Sequence, residues 1–165
     1  MEYTKRYVSP LGGITLASDG EALTGLWFDG QKHFAATLPP EHEEGEDPVL
    51  RDAARWLDCY FAGREPDFTP PLRPKGTAFQ RAVWALLLTV PYGTTTSYGE
   101  LAVRLAHLSP RAVGGAVGRN AISLIVPCHR VLGKDGSLSG YAGGVDKKRW
   151  LLKLEGAEVP NTREE

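Results

Sequence analysis

Cysteine is scarce in this chain: two in 165 residues, Cys59 and Cys128. Two are too few for a disulfide framework. The four histidines, His33, His42, His107 and His129, show no metal-ligand spacing with them, so no structural zinc is expected. No metal or other cofactor is expected at all. No run approaches the roughly 18 apolar residues of a membrane span. The opening MEYTKRYVSP lacks the apolar core of a signal peptide. A cytoplasmic protein is the expectation, or a nuclear one in a cell with a nucleus. No internal repeat or low-complexity tract is visible. What remains is a soluble chain long enough to bury a core without staples, as one domain or two small ones.

Charge is present but unevenly placed. Residues 1–70 hold six Lys/Arg and thirteen Asp/Glu, for −7, whereas residues 71–156 hold twelve and four, for +8. The tail 157–165 adds −2, leaving a formal net charge of −1. A basic half suits a polyanionic partner, although a solvated basic face has the same composition.

The chain divides in pattern as well as in charge. TKRYVS, GGITLAS and ALTGLWF read as short strands separated and followed by Asp-Gly turns. The acidic, Pro-containing stretch 37–48 reads as an exposed loop. Leu50, Ala53, Leu57, Tyr60 and Phe61 then recur at helical spacing up to Gly63. Cys59 lies inside that helix and reads as a structural, half-buried thiol. REPDFTPPLRPKG (64–76), with four prolines and no periodicity, is the candidate linker.

Helices dominate beyond it. Thr77 and Gln80 form a capping box before a helix with Phe79, Val83, Leu86, Leu87 and Val90 on its apolar stripe. Ser97 and Glu100 suggest a second box, with Leu101, Leu105 and Leu108 on one face. Ser109 caps a third helix, with Pro110 at its first position. A strand and a Gly-rich loop or hairpin, 133–144, follow, which outlines a winged helix-turn-helix. A last helix is predicted over Val145 to Leu154, ending at Gly156, before a polar, frayed tail. The expected architecture is α+β. A strand-rich domain spans 1–70, a helical winged helix-turn-helix-like domain 71–156, and a flexible tail 157–165.

The chemistry concentrates in Pro127-Cys128-His129-Arg130, straight after the apolar run Ile122 to Val126. That run reads as a buried strand, placing Cys128 where a strand leaves the core. A thiolate attacks and a thiol barely does, so Cys128 needs a base. His129 is adjacent, but neighbours in extended backbone point to opposite faces, which favours a bridging water. A basic His needs a partner to fix its tautomer, and Glu155 is the candidate. Tyr98 follows the capping Ser97 and the hydroxyl row from Thr94, including Thr95, where a helix N-terminus suits a phosphate. The third helix, RAVGGAVG, carries Gly114 and Gly115, which cost helix stability but leave a thin surface that another backbone, of DNA or of a neighbouring helix, can approach. Arg111 in its first turn suits a phosphate or a gap in a base stack, or is simply a surface Arg.

Taken together, RAVGGAVGRN-AISLIVPCHRV, with TTTSYGELA before it and GSLSGYAGG and RWLLKLEG after it, resembles the O6-alkylguanine-DNA alkyltransferases, also called methylated-DNA–protein-cysteine methyltransferases. The resemblance is close over 76–156 and confined to the strand-rich layout over 1–70, which it implies is RNase H-like. It implies direct transfer of an alkyl group from O6-alkylguanine, and also O4-alkylthymine, to Cys128 by a monomer on double-stranded DNA. His129 would deprotonate Cys128 through a water, with Glu155 orienting it. Tyr98 would press the target phosphate and hydrogen-bond the guanine, Arg111 would take the place of the flipped base, and Asn120 would buttress the turn before the site. The backbones of Cys128 and Val131 would read the guanine, with Tyr141 and Ala142 lining the pocket; Ser97 and Thr95 fall on the DNA side. Arg130 would order the fold. Ala121 stands where many relatives have Pro, and Ala142 where many have Ser.

A lesion inside a duplex must leave the stack. Phosphate contacts bind without reading sequence, which a repair protein needs. In the family the helix-turn-helix enters the minor groove, which a small-residue helix fits. The thioether product has no evident route to cleavage, so the protein is spent after one transfer. The alternatives are a lesion-binding protein without transfer, which the presence of Cys128 opposes, and a Cys-His hydrolase, which would turn over repeatedly.

Overall fold

The computed structural model describes residues 1–106, 109–138 and 140–159. Leu108 of the predicted stripe, and the predicted frayed tail from 160 onward, lie outside the described residues. Two compact units emerge, one of Met1–Lys75 with Ala121–Ile125, the other of Gly76–Asn120 with Val126 onward. Among the described residues no helix is long and apolar enough to cross a membrane.

The first unit is a sheet with a helix on it. Strands β1 (Glu2–Ser9), β2 (Gly12–Ser18) and β3 (Leu23–Phe28) run antiparallel in sequence, and β4 (His42–Glu44) lies parallel beside β1, in the order β3-β2-β1-β4. β4 corrects the expectation of a loop throughout 37–48. His-Glu-Glu has no strand propensity, and its three exposed residues are held by backbone pairing to the edge of β1. β3 is buried along its whole length, so both of its faces are covered. Helix α1 (Pro48–Phe61) is capped by Asp47, whose carboxylate accepts from the Leu50 N–H at 2.7 Å, and it buries Leu50, Ala53, Trp56, Leu57 and Tyr60. Part of the Pro-rich stretch is not a free strap: Leu72 pairs with Leu23, whose N–H donates to Pro71 O at 2.7 Å and whose carbonyl accepts from the Arg73 N–H at 2.8 Å.

The run Ile122–Val126 departs from expectation. It is not a strand. Only Ile122 makes a bridge, to Leu26, and Leu124 turns the chain with φ +71°. Hydrophobic burial alone had suggested a strand; a short apolar run is equally served by a buried turn when a neighbouring strand takes its backbone groups. Here the Leu26 N–H donates to Ala121 O at 2.9 Å and the Ser123 N–H to Leu26 O at 2.9 Å.

In the second unit, α2 (Ala78–Leu87) begins with the full capping box of Thr77 and Gln80. Trp84 of α2 donates its indole N–H to Ala116 O at 2.9 Å, fastening α2 to α4 (Pro110–Gly118). Between them lie β5 (Thr96–Ser97) and α3 (Tyr98–Arg104). Ser97 caps α3 as expected, but the Glu100 carboxylate accepts from the Thr96 hydroxyl at 2.9 Å. β5 pairs in parallel with β6 (Val131–Leu132), and α5 (Val145–Leu154) closes the unit. Leu132, Leu138, Leu152 and Ala157 form a small core beneath β6 and α5. The two-residue pairing of β5 with β6 has a functional consequence. Thr96 lies beside Val131 and Ser97 beside Leu132 in parallel, so the chain entering β5 runs beside the three-residue 3-10 turn, Cys128–Arg130, that directly precedes β6.

Candidate active site

Cys128 is buried at the head of that 3-10 turn. Val126 O anchors the turn by accepting both the Cys128 N–H and the Asn120 side-chain N–H, each at 2.8 Å. Asn120 also hydrogen-bonds the Cys128 side chain. Burial pushes the Cys128 thiol up; the Asn120 hydrogen bond, the charge of Lys148 and the cysteine's own N–H act the other way without cancelling it.

His129 is fully buried, and its Nε2–H donates to Glu155 Oε2 at 2.6 Å. That assignment leaves Nδ1 as the basic nitrogen. Burial lowers the imidazole pKa, Glu155 opposes the shift, and Arg130 and Lys148 reinforce it, so the ring is held neutral. Glu155 is the hub. Arg130 clamps it with Nε at 2.8 Å and Nη2 at 3.1 Å, while Arg130 Nη1 donates to Val90 O at 2.8 Å. The Gly93 N–H donates to Glu155 Oε1 at 3.1 Å, from a turn in which Gly93 has φ +78°. Burial would raise the Glu155 carboxyl, but the hydrogen bonds and charges of His129 and Arg130 outweigh it and hold it down to about 2.

Tyr98 and Tyr141 complete the surroundings of the thiol. The Tyr98 ring lies on α4, where a Cβ at Gly114 would stand 3.6 Å from it. Its phenol is pushed up to about 12 by burial and by the nearby Cys128. Tyr141 is buried, with its ring edge-on to His129 at 6.4 Å between centroids. Its hydroxyl has no hydrogen-bond partner among the described residues. Val131 is fully buried in β6 and Ala142 half-buried after Tyr141.

Thr95, Ser97, Tyr98 and Arg111 line a cleft of about 930 Å³ together with residues 132–136. Cys128 is not in that lining; Tyr98 belongs to both places. The hydroxyl row is partly engaged within the chain, since the Ser97 Oγ accepts from the Glu100 N–H at 3.1 Å and Thr94 donates to Pro91 O at 2.7 Å. Arg111 is exposed, and among the described residues no atom beyond its own helix lies within 4 Å of where a Cβ at Gly115 would be. The structure thus places Cys128, His129, Glu155, Asn120, Tyr98 and Tyr141 in one cluster, and Arg111, Ser97 and Thr95 along the neighbouring cleft.

One participant escaped the sequence reading, and another is engaged more specifically than expected. Arg130, expected to order the fold, is bound into the Glu155 hub. Lys148 was overlooked although it is fully buried. Its signal was available: Lys148, Leu151, Leu152 and Glu155 share one face of α5 at helical spacing.

Residues 78–157 match the DNA-binding domain, and residues 3–74 the ribonuclease-like domain, of 6-O-methylguanine DNA methyltransferase. The methylated-DNA–protein-cysteine methyltransferase of Haemophilus influenzae is 45% identical over 155 residues, covering 93% of this chain and 86% of that protein. The chain belongs to the methylated-DNA–protein-cysteine methyltransferase family. The member from Methanosarcina acetivorans is 46% identical over 94% of this chain and 99% of its own length. The crystal structure of Mycobacterium tuberculosis OGT in complex with DNA is similar with a TM-score of 0.84 and 42% identity, over 96% of each chain. Cys128, its hub at Glu155 and the Tyr98 cleft all fall within the family's DNA-binding domain, and the β1–β4 sheet within its ribonuclease-like domain.

Proposed function

We infer that this protein repairs DNA by moving the alkyl group of O6-alkylguanine irreversibly to its own Cys128. The observation that carries this is the buried Cys128 beside the His129–Glu155 pair, in a chain whose relatives bear that activity in their names. His129 takes the thiol proton at Nδ1 through a water and passes it to solvent. The thiolate attacks the alkyl carbon, so that a sulfur–carbon bond forms as the carbon–O6 bond breaks. Guanine departs with the bonding electrons and gains a proton, which balances the one Cys128 lost. A thioether is left, and each molecule acts once.

Reaching the base requires flipping it from the duplex, at a cost of a few kcal/mol. Arg111 fills the gap, Tyr98 turns the phosphate and hydrogen-bonds the guanine, and Asn120 holds the turn. Ser97 and Thr95 face the backbone; Tyr141, Ala142 and the Val131 backbone receive the base. The exposed thin face of α4 enters the minor groove without reading sequence. O4-alkylthymine is a second substrate, and the protein works as a cytoplasmic monomer without a cofactor. The Cys128→Ser protein tests the assignment: it is expected to bind a duplex containing O6-methylguanine and leave the lesion intact. Normal repair by that variant overturns it. Binding without transfer by the unsubstituted protein would instead favour a lesion-binding role.

A further inference from the structure

Val90, Tyr92 and Gly93, on one short turn, each meet the Arg130–Glu155 pair. Val90 O accepts from Arg130 Nη1 at 2.8 Å, and the Arg130 guanidinium carbon lies 5.6 Å from the centre of the Tyr92 ring. The Gly93 N–H donates to Glu155 Oε1 at 3.1 Å. The turn is closed on itself, since Pro91 O accepts from both the N–H and the hydroxyl of Thr94, at 3.2 and 2.7 Å.

Gly93 meets Glu155 a second time. A Cβ at Gly93 would stand 3.1 Å from the Glu155 backbone carbonyl oxygen, inside ordinary carbon–oxygen contact. That carbonyl is not free to retreat. The Glu155 N–H is bonded to Leu151 O at 3.1 Å and the Gly156 N–H to Lys153 O at 3.0 Å, which fixes the end of α5 on both sides of it. Gly93 also has φ +78°, where any L side chain is strained. Glycine is thus required on two independent counts.

The two oxygens of Glu155 carry different loads. Oε2 accepts from His129 Nε2 at 2.6 Å and from Arg130 Nη2 at 3.1 Å. Oε1 accepts from Arg130 Nε at 2.8 Å and from the Gly93 N–H. A side-chain fork moves with its own rotamer, whereas a backbone N–H in a closed turn is fixed to the fold. The Gly93 bond therefore sets the plane of the carboxylate, and with it the direction of Oε2.

We propose that Gly93 is a positioning residue for the transfer. Its bare backbone packs against Glu155 and pins Oε1, which keeps Oε2 on His129 and the His129 ring in the orientation that serves Cys128. It acts only through Glu155. This inference rests on Cys128 being the alkyl acceptor. The same turn runs directly into the hydroxyl row that lines the cleft, so a merely structural role for Gly93 would appear in DNA binding instead.

The test compares Gly93→Ala with Gly30→Ala. Gly30 has φ +79°, and among the described residues nothing lies within 4 Å of where its Cβ would stand, so its variant carries the strain without the contact. Methyl transfer from an O6-methylguanine duplex is followed at saturating DNA, and affinity for that duplex is measured separately. Alkylation of Cys128 by iodoacetamide is read from the mass of its peptide, which scores Cys59 apart. Gly93→Ala is expected to slow both reactions by at least about tenfold while duplex affinity stays within about twofold, because small misplacements of a reacting group are costly. Gly30→Ala should leave both rates and the affinity unchanged. In a Glu155→Gln background Gly93→Ala should slow transfer by no more than about a further twofold, since the two act along one line. The His129 Nε2–H proton resonance should move in Gly93→Ala and stay in place in Gly30→Ala. An unchanged rate in Gly93→Ala, a loss of affinity in place of rate, or full additivity with Glu155→Gln overturns the proposal. Should Gly93→Ala not fold, Gly93→Asn replaces it, because Asn tolerates the left-handed region. Should neither fold, the Gly93 amide of the unsubstituted protein decides: slow exchange with solvent is expected, and fast exchange overturns the proposal. The iodoacetamide rate and the imidazole resonance need no DNA, so absence of transfer in the unsubstituted protein would be read separately, as failure of the alkyl-acceptor assignment.

Discussion

Glu155 holds three partners on one carboxylate: the His129 ring, the Arg130 guanidinium and the Gly93 N–H. Its pKa falls from an ordinary 4.5 to about 2. A folded-state carboxyl below its unfolded value contributes stability above the unfolded pKa and loses it as pH falls through the folded one. The contribution is about 3 kcal/mol, present at neutral pH and lost between roughly pH 4.5 and 2. Glu155→Gln should therefore cost about 3 kcal/mol in urea unfolding at pH 7, because Arg130 is left buried without its counter-charge. Its further loss on acidification should be smaller than the parent's. Transfer should fall with it, as His129 loses the group that fixes its tautomer. Arg111 behaves differently. It is exposed, so Arg111→Ala should leave the melting temperature within error yet slow repair in duplex DNA far more than reaction with the free O6-methylguanine base. Equal losses on the two substrates would sink its base-replacing role. Glu155 could be picked out from sequence as a candidate for His129. The Arg130 clamp could not, because a guanidinium's partner 25 residues away in sequence is set by tertiary packing.

Among the elements, α4 is the most informative. Val113, Ala116 and Val117 are buried, and Gly114 seats the Tyr98 ring. Gly115 is different, because among the described residues nothing beyond its own helix comes within 4 Å of where a Cβ would stand. Gly115→Ala should raise stability by up to about 1 kcal/mol through helix propensity alone. Gly115→Leu should fold normally and bind duplex DNA more weakly, by gel shift, if this face meets the groove; unchanged binding would remove α4 from the interface. Helix starts were legible because caps are local: Thr77, Ser97 and Ser109 each accept the expected backbone N–H. Non-local pairing was not. β4 exists only because β1 offers an edge, and Ile122–Val126 turns rather than extends because Leu26 takes the backbone groups on either side of Ile122.

At the scale of the whole molecule, the charge pattern separates the halves of the sequence, −7 over residues 1–70 against +8 over 71–156. The contact units follow a different rule, since Ala121–Ile125 belong with Met1–Lys75 although they lie deep in the basic half. That return of the chain leaves no local mark, as both units need apolar residues. Affinity for undamaged duplex should fall by at least about tenfold between roughly 50 and 200 mM salt, with little dependence on sequence. A salt-insensitive affinity would remove the role given to the basic half. The most direct test of the central claim is to mix the protein with excess duplex containing O6-methylguanine, digest it, and weigh the peptides while counting repaired guanines. One methyl on the Cys128 peptide and one guanine restored per protein molecule is the predicted result. Continued repair beyond one equivalent, or an unmodified Cys128 peptide, would contradict it.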